Sequence, residues 1–143
     1  ESLKKHTVSS GDIIFSSFVA DGTRVVVLPE NIDRAINKAD CFCVRPFGDS
    51  IDANYLANFL STTSTYKRLE NQVHGATRPR INTTQLKELE IPICSAAEQF
   101  EIVSLVGEKF DSVCRLENEI NMQMIKADKN KQSILASAFS GML

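Results

Sequence analysis

The residues best suited to chemistry lie in a short basic window from Thr65 to Arg80. It holds Lys67, Arg68, Arg78 and Arg80 against Glu70 alone, with His74 beside them. Arg78 and Arg80 flank Pro79 in Gly75-Ala76-Thr77-Arg78-Pro79-Arg80, a stretch too rich in breakers for regular structure, and Pro79 pushes Arg78 toward an extended backbone. Loop arginines suit phosphate oxygens, or a bidentate pair with guanine. Lys67 and Arg68 sit at the end of the helix leading into this loop. Thr77, His74 and the hairpin residues Thr23 and Arg24 complete the candidate set. The plainer reading is a solvated loop whose arginines pair with Glu70, Glu88 or Glu90.

Other chemistries find no residues to carry them. Cys41-x-Cys43 lies in an apolar run, so both thiols fall on one face of a strand. Structural zinc uses C-x₂₋₄-C plus a second ligand pair, and His6 and His74 are isolated, so no metal site is expected. Cys41, Cys43, Cys94 and Cys114 read as small buried thiols, reduced in a cytosol. No G-x-G-x-x-G, P-loop, H-E-x-x-H or G-x-S-x-G is present, and no proline follows another as in the amine-holding loop of amino-methyltransferases. The carboxylates are scattered, and no catalytic residue is assigned.

The charge is uninformative as a whole and informative by parts. The 143 residues carry a net charge of −2. Residues 1–97 hold eleven basic and eleven acidic groups, and residues 98–143 hold five and seven. Composition is 43% hydrophobic and 24% charged, that of a globular protein and not of a disordered or collagen-like chain. No apolar run spans a bilayer, and no signal peptide is visible. The first residue is Glu1 rather than Met, which reads as a fragment or a processed product.

The elements that position these residues follow from pattern. Ile13 to Val19 reads as a strand, Asp21-Gly22 as a hairpin turn, Thr23 to Leu28 as the returning strand and Cys41 to Arg45 as a third. Glu30 to Asp40 is a polar connection. Ser50 or Asp52 caps a helix whose buried stripe is Tyr55, Leu56, Phe59 and Leu60, continued by Tyr66, Leu69 and Val73. Thr62, Thr63 and Thr65 bend or restart it. Asn82-x-x-Gln85 caps a short helix, and Leu89 to Ile93 reads as a short strand.

Ser95-Ala96-Ala97-Glu98 is a capping box. From Glu98 to Phe139 there is no proline, and apolar or small residues recur at intervals of 3 or 4: Val103, Val106, Phe110, Val113, Leu116, Ile120, Met124, Ala127, Ile134 and Ala138, with Lys131 in the gap. As one helix these 42 residues span about 63 Å, against about 30 Å for a small domain. Val106, Phe110, Val113, Leu116, Ile120, Met124, Ile134 and Ala138 therefore form a seam for a partner helix. The competing arrangement is a helical hairpin turning at Asp128 to Lys131.

Three stretches together resemble the specificity (S) subunit of type I restriction–modification enzymes, in order and spacing over nearly the whole chain. They are Ser10-Gly11-Asp12-Ile13-Ile14-Phe15, then Gly75 to Asn82 running into Leu86, Leu89 and Ile91-Pro92-Ile93, then Ala97-Glu98-Gln99 with Ile102-Val103 and the terminal Ser133 to Leu143. Where the family commonly has a proline pair, this chain has Cys94-Ser95. The chain resembles the C-terminal recognition domain and its conserved helix, opening inside the domain.

The resemblance implies an α/β (α+β) target recognition domain over residues 1–97. One long helix over residues 98–143 would then pair as an antiparallel coiled coil. It implies a non-catalytic module that reads one half of a split double-stranded DNA target. Its implied partners are methyltransferase (M) and restriction (R) subunits, and a second recognition domain and helix, or a second copy of an isolated fragment. S-adenosylmethionine, ATP and Mg would belong to the partner subunits, with no cofactor and no membrane for this chain, in the cytoplasm. The alternatives are a dimerisation module without a DNA role, supported by the neutral to acidic charge, and the specificity region of a fused restriction–methyltransferase.

Overall fold

The computed structural model describes residues 6–48, 50–71, 73 and 79–141. Contacts divide the chain into two compact units, Glu1–Val103 and Ser104–Leu143.

In the first unit, β2 (Ile13–Ser16) is the centre of a three-stranded antiparallel sheet, flanked by β3 (Val25–Val27) and β5 (Cys41–Val44). The register sets Ile13 against Val27 and Val44, and Phe15 against Val25 and Phe42. Alternation on β2 turns Ile13 and Phe15 to one face, where both are fully buried. Against that face pack Leu56, Ala57 and Leu60 of α1 (Ala53–Leu60) and Leu69 of α2 (Thr63–Glu70), closed by Val19 and Ile81. A second, two-stranded sheet pairs β1 (Thr7–Val8) with β4 (Ala35–Ile36) inside the stretch read as a polar connection. At two residues each, these strands are too short to leave a periodic signal.

Asp52, not Ser50, caps α1, its carboxylate accepting from the backbone N–H groups of Asn54 and Tyr55. The threonines do restart the helix: Thr62 accepts from Thr65 N–H and begins α2. Asn82 and Gln85 form the expected reciprocal capping box of α3 (Thr83–Lys87).

Three readings need correction. β2 stops at Ser16, because the Ser16 hydroxyl takes the Phe18 N–H and Ser17 bonds to Asp40 and Ile81 instead. The connection to β3 is thus an eight-residue loop, Ser17 to Arg24, and Asp21-Gly22 is part of it rather than a two-residue turn. Leu89 to Ile93 is not a strand, since no neighbouring strand offers it a ladder. The cysteines are not buried: Cys43 and Cys114 are exposed and Cys41 and Cys94 half-buried, since β5 is an edge strand and the α4 side chain of Cys114 meets no partner.

The last element is one helix, α4 (Ala96–Phe139), of 44 residues, about 66 Å long. It runs without a break through Asp128–Lys131, which removes the hairpin arrangement. Ser95 takes the Glu98 N–H at its start. In the second unit it is the sole element among the described residues, and nearly all its side chains are exposed.

Candidate nucleic-acid interface

The basic window does not stand alone in the fold. The segment leaving it is stitched to the Ser17–Arg24 loop. Val19 N–H donates to Pro79 C=O (3.2 Å), Ile81 N–H donates to Ser17 C=O (3.0 Å), and Phe18 and Arg80 form an antiparallel bridge. This places the Arg80 guanidinium over the Phe18 ring, 4.2 Å from its centre, with Nη1 3.0 Å from Asp40 Oδ1. Arg80 thus has two internal partners, and its acid is Asp40 rather than Glu70, Glu88 or Glu90. Arg80 and Asp40 both stay about half exposed, so solvent, or an anion, can compete for the guanidinium.

The same loop carries Thr23 and Arg24. Thr23 donates its hydroxyl to Leu60 C=O at 2.8 Å, tying the loop to the end of α1. Arg24 sits 3.4 Å from Asp21 in an exposed pair. On α2, the Tyr66 hydroxyl lies 3.0 Å from both Ala20 C=O and the Glu70 carboxylate, and that carboxylate raises its pKa. Arg68 donates to the Glu90 C=O at 3.3 Å, while Lys67 is exposed with no ion pair among the described residues. Thr23, Arg24 and Arg80 therefore share one loop system that α2 approaches through Tyr66. His74, Thr77 and Arg78 lie outside the described residues.

Two groups escaped the sequence reading as chemistry. The first is Asp12, buried at the start of β2. Gly11 supplies a positive φ of 80°, which leaves Asp12 free to accept from Ser9 N–H at 2.8 Å. Arg45, leaving β5, grips the Asp12 carboxylate bidentately with two 2.6 Å bonds. Those bonds, more than burial opposes them, hold the Asp12 carboxyl below its ordinary range. Burial and the Asp12 charge push the neighbouring Cys43 thiol up, away from the reactive thiolate. The signal was the Gly11-Asp12 pair; its cation, 33 residues on, was not recoverable from spacing.

The second group is Gln99, almost fully buried in the first turn of α4. Its Oε1 accepts from Asp52 N–H (2.8 Å), and its Nε2 donates to Ser50 C=O and Cys94 C=O (3.0 Å each). Tyr55 adds a bond from its hydroxyl to Pro92 C=O. The amide has both polarities the site needs, which explains a glutamine on an otherwise apolar face.

Among the described residues, no set of three His, Cys, Asp or Glu side chains is grouped to hold a metal, and no helix is long and apolar enough to cross a membrane. The fold defines a small α/β unit whose loops present arginines, succeeded in the chain by a long helix with an exposed apolar seam. The family described as "Type I restriction modification DNA specificity domain" matches residues 1–126, and the chain belongs to that family.

Relatives agree. The chain is 28% identical over 139 residues to the type I restriction enzyme EcoDI specificity subunit of Escherichia coli, and 29% identical over 140 residues to the EcoBI specificity subunit. These alignments cover 97% and 98% of this chain but 30% and 29% of the relatives, so the chain spans under a third of their length. Two solved structures share the fold. One is a chain from work on complex assembly and conformational transition of the type I R-M system, with TM-score 0.74, 22% identity, 94% of this chain covered and 32% of that one. The other is the HsdS subunit from Thermoanaerobacter tengcongensis, with TM-score 0.63, 21% identity, 79% of this chain covered and 30% of that one.

Proposed function

We propose that this chain is a DNA-reading module of a type I restriction–modification system that recognises one half of a bipartite target. The observation that carries the reading is the family match across residues 1–126. The loop system of Thr23, Arg24 and Arg80, with Lys67 and Arg68 on α2 and with His74, Thr77 and Arg78, is the proposed DNA face. Phosphate contacts set its affinity and register, and a few loop side chains set base preference.

The exposed seam of α4, from Val106 and Phe110 through Val113, Leu116, Ile120, Met124, Ile134 and Ala138, is the proposed pairing face. Paired, the helix spaces two half-sites and scaffolds methyltransferase and restriction subunits. Catalysis, with S-adenosylmethionine, ATP and Mg, belongs to those partners, and the assembly acts in the cytoplasm.

The test is DNA binding by the chain assembled with a methyltransferase subunit, measured over a range of salt. Sequence-dependent binding that weakens with salt supports the reading. Salt-insensitive association, or none, leaves a dimerisation module without a DNA role.

A further inference from the structure

The Ser17–Arg24 loop is fastened along most of its length. Ser16 N–H donates to Arg24 C=O (2.9 Å), Ser17 N–H to Asp40 C=O (2.8 Å) and Val19 N–H to Pro79 C=O (3.2 Å). Ala20 C=O takes the Tyr66 hydroxyl at 3.0 Å, and the Thr23 hydroxyl donates to Leu60 C=O at 2.8 Å. Asp21 and Gly22 are left as the tip. Gly22 turns the chain there with a φ of 155°, and Arg24 Nη2 lies 3.4 Å from Asp21 Oδ1 across the turn. The two side chains are 66% and 82% exposed.

The loop therefore offers a cation and an acid side by side on a fixed mount. An exposed ion pair contributes little to stability, so its members can turn to other partners at little cost. A mount ordered before binding adds little further entropy cost. A phosphate is a poor new partner for this pair. It draws Arg24 but is repelled by the Asp21 carboxylate beside it.

A base-pair edge that offers acceptors next to a donor suits both side chains. In the major groove guanine presents N7 and O6 as acceptors, and its cytosine presents the N4 amino group as a donor. O6 and N4 are joined by the base pair's own hydrogen bond, about 2.9 Å long. That spacing is close to the 3.4 Å between Arg24 Nη2 and Asp21 Oδ1. Arg24 can hold N7 and O6 while Asp21 accepts from the amino group. An A·T pair places the adenine amino donor between two acceptors, so it sets a donor against the guanidinium.

We propose that Arg24 and Asp21 together read one G·C base pair of the half-site through the major groove. Arg24 donates to guanine N7 and O6, and Asp21 accepts from cytosine N4. This rests on the reading of the chain as a DNA-reading module and adds a base pair and the two side chains that choose it.

The experiment uses the chain assembled with a methyltransferase subunit. Bound duplexes are selected from a random library, and affinities for singly substituted duplexes are then measured by fluorescence anisotropy. The wild type should require G·C at one position, where A·T weakens binding by about five- to hundredfold. Replacing that guanine by 7-deazaguanine, which lacks the N7 acceptor, should also weaken binding. Arg24→Ala should bind the G·C duplex less tightly and lose both penalties. Asp21→Ala should reduce the preference for G·C and raise affinity for unrelated DNA, because it removes a negative charge from this face. Both side chains are exposed, and the variants should keep the wild-type urea midpoint.

An Arg24→Ala variant that keeps every base preference of the wild type overturns the proposal, whether its affinity falls uniformly, as for a phosphate contact, or not at all. DNA reading by other residues then stands. Binding by the wild-type assembly that ignores sequence overturns the proposal together with the reading it rests on.

Discussion

Gln99 gives a direct measure of how firmly the first turn of α4 is fastened to the start of α1. Gln99→Leu keeps most of the side-chain volume and removes all three hydrogen bonds, to Asp52 N–H, Ser50 C=O and Cys94 C=O. Each such bond contributes about 1 kcal/mol net, and a buried group left unpaired costs about 1–3 kcal/mol. Ser50 and Asp52 are exposed enough for water to replace part of the loss. The expected destabilisation is therefore about 2–3 kcal/mol, or a drop of about 1–2 M in the urea midpoint at a slope of about 1.5 kcal/mol/M.

The chain has two tyrosines and no tryptophan. Tyr55 and Tyr66 both lie in the first unit, so their fluorescence follows its unfolding unmasked. Gln99→Glu sharpens the test. The introduced carboxylate can accept from Asp52 N–H but has nothing to donate to the two carbonyls, so it should cost more than Gln99→Leu at neutral pH. Its folded pKa should lie above the unfolded one. The charge-dependent deficit is then absent below the unfolded pKa and complete above the folded one. A midpoint change below about 0.3 M for Gln99→Leu would refute the assignment of Gln99 as the fastener.

The remaining expectations concern the loops and the core. Arg80→Ala removes a cation–π contact and a half-exposed ion pair, so it should cost about 1 kcal/mol in urea unfolding and reduce the salt slope of DNA binding by the assembled module. Asp40→Asn should do the reverse to binding, because it frees the same guanidinium for a phosphate; unchanged salt slopes in both variants would remove Arg80 from the interface. Asp12 titrates below its ordinary 3.8, so its stabilising contribution is complete above that value and lost as pH falls toward the folded pKa. Asp12→Asn should accordingly flatten the acid limb of a stability-against-pH curve. Phe15→Ala, which empties a fully buried site at the centre of the sheet, should cost about 3–5 kcal/mol by thermal or urea unfolding.

What the sequence disclosed depends on the range of the interaction involved. Periodic burial was legible: the stripe of α1, the restart at Thr62, the capping box at Asn82 and Gln85, and the unbroken course of α4 all rest on neighbours within a few residues. Features set by distant partners were not. The eight-residue loop after β2 exists because Ser17 prefers Asp40 and Ile81 to a continued ladder, and neither preference leaves a local mark. Arg80 illustrates the same limit. Its type and loop position were visible, but Phe18 and Asp40 reach it only through the fold.

The internal partners of the arginines bear on how such a module meets DNA. Of the five described arginines before α4, Arg24, Arg45 and Arg80 are ion-paired, and Arg68 donates to a backbone carbonyl. Each phosphate neutralised by a freed cation steepens the logarithmic salt dependence by about 0.9. A cation already paired inside the protein must give up that partner first, which returns part of the gain. If the unit reads DNA as proposed, its neutral charge and paired arginines would suit it to discriminate more than to adhere. Its arginines are pre-oriented by acids and an aromatic ring, at a cost in free positive charge. Under the proposed function, most of the non-specific attraction to DNA would then have to come from whatever pairs with α4, with the loops choosing the sequence and assembly supplying affinity.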